Sequence, residues 1–204
     1  MKIRKFDRKT DNIGIVADLI LRAYSQGEQN LSYDENTKQM VQDFVETGNN
    51  FIGHENIYLC FSDNILAGLV IGYTGKSYSR IKTLFDILFK LKLTRLLNYL
   101  IISSQLFDSS YTPYLEEDDF YISVIVVDEK CRNRGIGTHL LKEIIMIAKE
   151  KECKQIILDV DKGNTTAQSL YEKFGFRIHH ENRAEIISKL NENNHTMVYS
   201  LGEG

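Results

Sequence analysis

The eight residues from Phe120 to Val127 constrain this chain more than any other stretch: apart from Ser123 all are apolar or aromatic, and five are β-branched. Successive side chains of a strand point to opposite faces, so both faces of this one are apolar. Such a strand needs cover on both sides, as expected of a strand buried on both faces of its sheet. A loop with two glycines, Cys131 to Gly137, follows it, and Leu141, Ile144, Ile145 and Ala148 then share one helical face. Gln155 to Val160 is a second buried strand.

The remaining segments interleave in the same way. Residues 3 to 6 alternate as a short strand, and Ile13, Val16, Ala17, Ile20, Leu21 and Tyr24 line one helix face. Met40, Val41, Phe44 and Val45 mark a second helix that stops near Gly48. Ile57 to Phe61 and Ile65 to Tyr73 flank a turn at Asp63-Asn64 and read as a hairpin. Asn164 or Thr165 caps a further helix, where Thr165 to Gln168 fits a capping box, and that helix ends at Gly175. Phe176 to His180 and Thr196 to Leu201 are closing strands. The class is α/β or α+β with one mixed sheet.

At 204 residues the chain fits one domain, given about 150 residues per domain. Its net charge of −3 excludes nucleic-acid binding driven by overall charge, so no nucleic-acid partner is expected. Cys60, Cys131 and Cys153 form no paired spacing, which argues for free thiols in a reducing compartment and against a metal site. No apolar run follows the basic start, and the longest uncharged apolar-rich stretch, Leu96 to Phe107, has 12 residues where about 20 span a bilayer. The expected location is the cytoplasm.

The chemistry is carried by Val126 to Thr138. The loop glycines let backbone N–H groups approach an anion, the helix start adds unpaired N–H donors, and Arg132 and Arg134 add positive charge. This is a pyrophosphate cradle. It is not a nucleotide P-loop, since no GKS or GKT follows, nor a dinucleotide loop, since His139 and Leu140 stand where a third glycine should fall. The spacing of Arg132, Gly135 and Gly137 resembles the acetyl-CoA loop of the GCN5-related N-acetyltransferase (GNAT) superfamily. Leu158 to Phe176 resembles that family's second signature, with Asn164, Ala167, Tyr171 and Gly175-Phe176 in its order and spacing. The resemblance is close over residues 120 to 180 and looser before them. Glu129 departs from it, since many members carry proline there; the proline would only stiffen the loop entry.

The resemblance implies a mixed, mostly antiparallel sheet of about seven strands with a splayed parallel pair, flanked by helices. It implies acetyl-CoA as co-substrate, without a metal. The backbone of Ile125, Val126 and Val127 would pair with the pantetheine arm. Arg132, Asn133, Arg134, Gly135, Ile136, Gly137 and Thr138 would hold the pyrophosphate, and Asn164 would meet the pantetheine or acetyl region. Tyr171 stands where the family's tyrosine protonates the departing thiolate. Helix capping and ring packing are the structural readings of Asn164 and Tyr171. For the base, Asp159 on the second strand and Glu117 before the first both stand at positions that family members use; either also reads as a solvated strand-end charge. Cys131 is read as an exposed loop thiol rather than a relay, and the histidines as surface or loop residues.

The expected activity is transfer of an acetyl group to an amine of a small molecule or peptide, by direct attack in a ternary complex. The alternative is an acetyl-CoA-binding sensor or interaction module without turnover. Residues 76–115 lie outside the family's common core, with helical apolar periodicity and, over 76–102, six basic residues against one acidic. A lid over the acceptor side or a homodimer contact is favoured there over a membrane-surface role. Acceptor recognition is expected from the N-terminal helices, this insertion and the connection Glu181 to His195, with Glu28, Asp34, Glu35 and Glu116 to Asp119 suiting a cationic amine.

Overall fold

The computed structural model describes residues 1–25, 34–77, 115–179 and 193–202. The doubly apolar run is strand β4, Asp119–Val127, and it stands at the centre of the sheet. Before it come β1 (Lys2–Lys5), β2 (Ile57–Ser62) and β3 (Ile65–Thr74); after it come β5 (Gln155–Asp161), β6 (Arg177–Ile178) and β7 (Asn194–Ser200). The order across the sheet is β1-β2-β3-β4-β5-β7-β6, and among the described residues β4–β5 is the one parallel pair.

Four helices among the described residues cover the two faces. Helices α1 (Ile13–Ser25) and α2 (Glu35–Thr47) cover one, α3 (Ile136–Glu150) and α4 (Thr165–Phe174) the other. On the first, Val16, Ala17 and Ile20 of α1 and Val41, Phe44 and Val45 of α2 pack with Leu69, Ile71, Val124 and Val126. On the second, Leu140, Leu141 and Ile144 of α3 pack with Phe120, Ile122, Ile156 and Leu158. No described helix is long and apolar enough to cross a membrane.

Two features of β4 set up the site. It pairs with β3 nearly end to end, but Ile71 faces Val124 while Gly72 faces Ile122, so Ser123 is an extra residue and β4 bulges there. Its parallel pairing with β5 runs only from Asp119–Gln155 to Ile122–Leu158. The bulge and the end of the pairing coincide, and the two strands fork from that point. The bulge also shifts side-chain parity: Phe120 and Ile122 before it, and Ile125 and Val127 after it, all face the α3–α4 side.

One local expectation needs correction. Asn164 is the N-cap of α4, its side chain accepting from the Ala167 N–H at 3.1 Å, and no capping box forms. Gln168 instead donates to the carbonyls of Asp161 and Lys162, tying α4 to the end of β5. Most of the insertion, residues 78–114, lies outside the described residues, as do Glu28 and residues 180–192 of the last connection.

Two glycines predict opposite stability effects. A Cβ on Gly68 of β3 would stand 2.6 Å from the Val126 carbonyl oxygen and 3.2 Å from Val127 Cα, so backbone must move. Gly68→Ala is expected to cost about 1–3 kcal/mol. A Cβ on Gly137 would meet only Leu170 and Val127 side-chain atoms, at 3.5 and 3.8 Å. Gly137→Ala is expected to be neutral or to stabilise by up to about 1 kcal/mol, because a helical glycine loses more backbone entropy than alanine. Urea denaturation midpoints check both.

Candidate active site

The loop after β4 is built by side-chain anchoring at its start and glycine at its end. The Asp128 N–H donates to the Ala67 carbonyl at 2.9 Å, continuing the β3–β4 contact one residue past the strand. The Asp128 carboxylate accepts from the Lys130 N–H at 3.0 Å and from Arg22 of α1 at 3.1 Å. A single 3₁₀ turn, Glu129–Cys131, follows and rolls Cys131 inward. Cys131 is therefore buried, with Leu140 and Ile136 in its core cluster, and not the exposed loop thiol expected from its position. Asn133 at φ 61° and Gly135 at φ 75° then reverse the chain into α3.

Gly135 is the N-cap of α3, and no side chain caps the helix. The N–H groups that open α3 thus keep the donor capacity and partial positive charge of a helix start. A Cβ built on Gly135 meets nothing within 4 Å, so its surroundings are open and φ alone demands the glycine. Arg134 is exposed and Arg132 half-exposed, the latter 3.9 Å from Glu129. An uncapped helix start, open space and two unburied guanidinium groups fit a pyrophosphate. Beyond Ile122, β4 has no register with β5, so Ile125, Val126 and Val127 border the fork. The donor and acceptor groups of such an unpaired edge suit an amide-bearing chain such as pantetheine.

The two faces of the fork differ chemically. Tyr171 of α4 is buried on the α3–α4 face, its ring centroid 5.8 Å from that of Phe176, which in turn lies 5.3 Å from that of Tyr199. Burial pushes the Tyr171 phenol up to about 12, so it stays protonated at neutral pH. Asp159 follows Leu158, the last β5 residue paired with β4, and is half-buried on the opposite face, where Ile157 also points. One of its oxygens accepts from the Tyr121 hydroxyl at 2.9 Å and the other from the Thr196 hydroxyl at 2.7 Å.

Glu117 lies elsewhere. It is exposed in the turn before β4, and its carbonyl accepts from the Lys76 N–H at 3.3 Å. The stretch from Asp119 to Ser123 separates it from the fork by about 13 Å, at about 3.3 Å per residue. Of the two carboxylates proposed from sequence, Asp159 stands at the fork and Glu117 at the far end of the strand. Asn164 is committed through its side-chain oxygen to capping α4. Tyr121 and Thr196 were not legible as site residues: each meets Asp159 across more than 30 positions of sequence, and nothing local in the sequence encodes that pairing.

The model of the acetyltransferase (GNAT) family matches residues 18–176. N-alpha-acetyltransferase 30 of Xenopus laevis is 43% identical over 56 residues, which is 28% of this chain and 20% of that protein. The chain thus matches about a fifth of that relative. An N-acetyltransferase from Staphylococcus aureus Mu50 shares the fold, with a TM-score of 0.71 at 19% identity over 98% of this chain and 100% of that one. A GNAT family acetyltransferase from Elizabethkingia anophelis, solved with acetyl-CoA bound, superposes with a TM-score of 0.56 at 20% identity, covering 98% of this chain and 97% of the other.

The high Tyr171 value carries a stability prediction. An unfolded phenol titrates near 10 and the folded one near 12, so between these values the folded chain holds a proton that the unfolded chain has lost. Stability that is intact below pH 10 therefore falls as pH rises toward 12. The share due to Tyr171 is at most about 2–3 kcal/mol, at 1.36 kcal/mol per unit. Tyr171→Phe is expected to lose less stability than wild type between pH 9 and 11.5, compared by urea midpoints.

Proposed function

The chain belongs to the GNAT acetyltransferase family, and we propose that it transfers the acetyl group of acetyl-CoA to an amine by direct attack, with both substrates meeting at the β4–β5 fork. The observation that carries this reading is the coincidence of three features: the bulge at Ser123, the end of parallel pairing at Ile122–Leu158, and an uncapped helix start at Gly135. An open edge that leads to an anion cradle is what a chain ending in a pyrophosphate requires.

In this reading Arg132, Asn133, Arg134, Gly135, Ile136, Gly137 and Thr138 surround the pyrophosphate. The backbone of Ile125, Val126 and Val127 lies along the pantetheine arm, and Asn164 borders it. Acetyl-CoA supplies an activated acyl carbon and a thiolate leaving group. The acceptor enters as an ammonium ion, because an alkylamine near pKa 10.4 is mostly charged at neutral pH. Asp159 takes the first proton, which makes the nitrogen nucleophilic and then passes to solvent. Tyr171, on the other face, gives its proton to sulfur and is restored by the second proton leaving nitrogen. One N–C bond forms, one C–S bond breaks, and one proton is released.

We assign the base to Asp159 rather than to Glu117, because a base must reach the reacting nitrogen within hydrogen-bond distance or through one water. Glu117, at the far end of β4, is left to the acceptor surface. The acceptor is a small molecule or peptide bearing such an amine.

Calorimetric titration with acetyl-CoA tests the cofactor site. Wild type is expected to bind, and Gly135→Asp to bind at least about tenfold more weakly, since it sets a carboxylate against the phosphates in a strained backbone. Thiol release with an amine panel then tests turnover. Tyr171→Phe is expected to lower kcat about 10²-fold while leaving acetyl-CoA affinity nearly unchanged. No binding by wild type at millimolar acetyl-CoA would sink the reading. Binding with no turnover across small amines, peptides and aminoglycosides would favour a sensor instead.

A further inference from the structure

The Tyr121–Asp159–Thr196 set has more order than a strand-end charge needs. Tyr121 comes from β4, Asp159 from β5 and Thr196 from β7, so three adjacent strands contribute. Each hydroxyl donates to a different oxygen of the one carboxylate, at 2.9 and 2.7 Å. Two donors on separate oxygens fix the carboxylate plane as well as its position. A solvated charge has no use for that precision.

The surroundings are aromatic. The Tyr121 ring is buried 5.7 Å, centroid to centroid, from that of Tyr73, and Tyr24 of α1 lies near enough to help raise the Tyr121 phenol. Burial is the largest cause of that rise, followed by the Asp159 charge, and it keeps Tyr121 a hydrogen-bond donor at every working pH. Tyr121 therefore serves the carboxylate and does not itself accept a proton. An anion held by a buried tyrosine, at the head of a fork and on the face opposite Tyr171, matches a cation that approaches from the α1–α2 side.

We propose that Tyr121 and Thr196 are positioning residues that hold the Asp159 carboxylate as the anion receiving a protonated amine acceptor. The substrate class is then a cationic amine, not a neutral or anionic one. This inference rests on the acyltransferase reading for the identity of the fork, but it concerns the amine side alone.

Two titrations separate the two. Acetyl-CoA is titrated into the protein alone. Spermidine, a tripeptide amide with uncharged side chains and one free α-amine, and the N-acetylated form of that peptide are titrated into protein with and without saturating CoA. Wild type is expected to bind at least one ammonium probe and to prefer the free peptide over its acetylated form. Asp159→Asn is expected to weaken that binding about tenfold or more, for loss of a charge contact. Tyr121→Phe and Thr196→Val are each expected to weaken it about three- to tenfold, with Thr196→Ser restoring it and acetyl-CoA affinity unchanged throughout. In the Asp159→Asn background, Tyr121→Phe is expected to have no further effect, because it acts through the carboxylate.

An equal loss from Tyr121→Phe with or without Asp159 would overturn the proposal. So would equal affinity for the acetylated and free peptides, or no binding of any ammonium probe. If Tyr121→Phe fails to fold, the Thr196→Val and Thr196→Ser pair decides the matter. Failure of acetyl-CoA to bind would instead remove the acyltransferase reading, and the amine titrations without CoA would still judge this one.

Discussion

Strand β4 cannot stay paired with both of its neighbours along its whole length, and the rest of the molecule follows from that. The extra residue Ser123 shifts the register by one while β4 stays paired with β3 on both sides of the bulge, and pairing with β5 stops at Ile122–Leu158. A bulge increases local twist and bends its strand, so it turns β4 away from β5. The sheet core is kept by the antiparallel partners, β3 on one side and β7 on the other, each running the length of the strand it supports. An unpaired central edge exposes backbone groups that other sheets bury, which is costly unless something else pairs with them. On the proposed reading the cofactor pairs with that edge, and the flanking strands keep the fork open.

In the proposed reaction, the same topology sets the two proton-handling groups on opposite faces. Along β5 the side chains alternate, so Leu158 and Val160 point to the α3–α4 side while Ile157 and Asp159 point to the α1–α2 side. Helix α4 begins at Thr165, four residues after β5 ends at Asp161 and just beyond the cap Asn164, and returns on the α3 side. Tyr171 on α4 and the Asp159 carboxylate must then stand on opposite faces, with the fork between them. Desolvation holds the buried Tyr171 protonated.

Much of this was legible from local pattern. Two-sided apolarity marked β4 and β5 as buried on both faces, helical periodicity gave α1 to α3, and the paired glycines located the loop, because each signal depends on a few consecutive residues. What escaped depended on contacts distant in sequence or on competing local bonds. Cys131 looked exposed because its neighbours are charged, yet the Asp128-capped turn rolls it into the core. Gln168 fitted a capping box, but the Asp161 and Lys162 carbonyls at the end of β5 were better placed acceptors for its amide. Tyr121 read as one more core aromatic, and only the parallel register that sets it beside Ile157 brings its hydroxyl to Asp159.

The last turn of α1 joins both halves of the site. Arg22 bonds Asp128 at the head of the anion loop, and Tyr24, two residues on, lies near Tyr121 on the amine side. The ion pair itself adds little rigidity, since Arg22 is about half exposed and such pairs contribute roughly 0–1 kcal/mol. The helix is fixed instead by Val16, Ala17 and Ile20, which are fully buried against the sheet. Burying three such side chains contributes several kcal/mol by area, at about 25 cal/mol per Å². Packing thus sets where α1 lies, and the polar groups at its end only read that position. A shift of α1 would have to break this packing, and it would disturb the anion loop and the Asp159 carboxylate together.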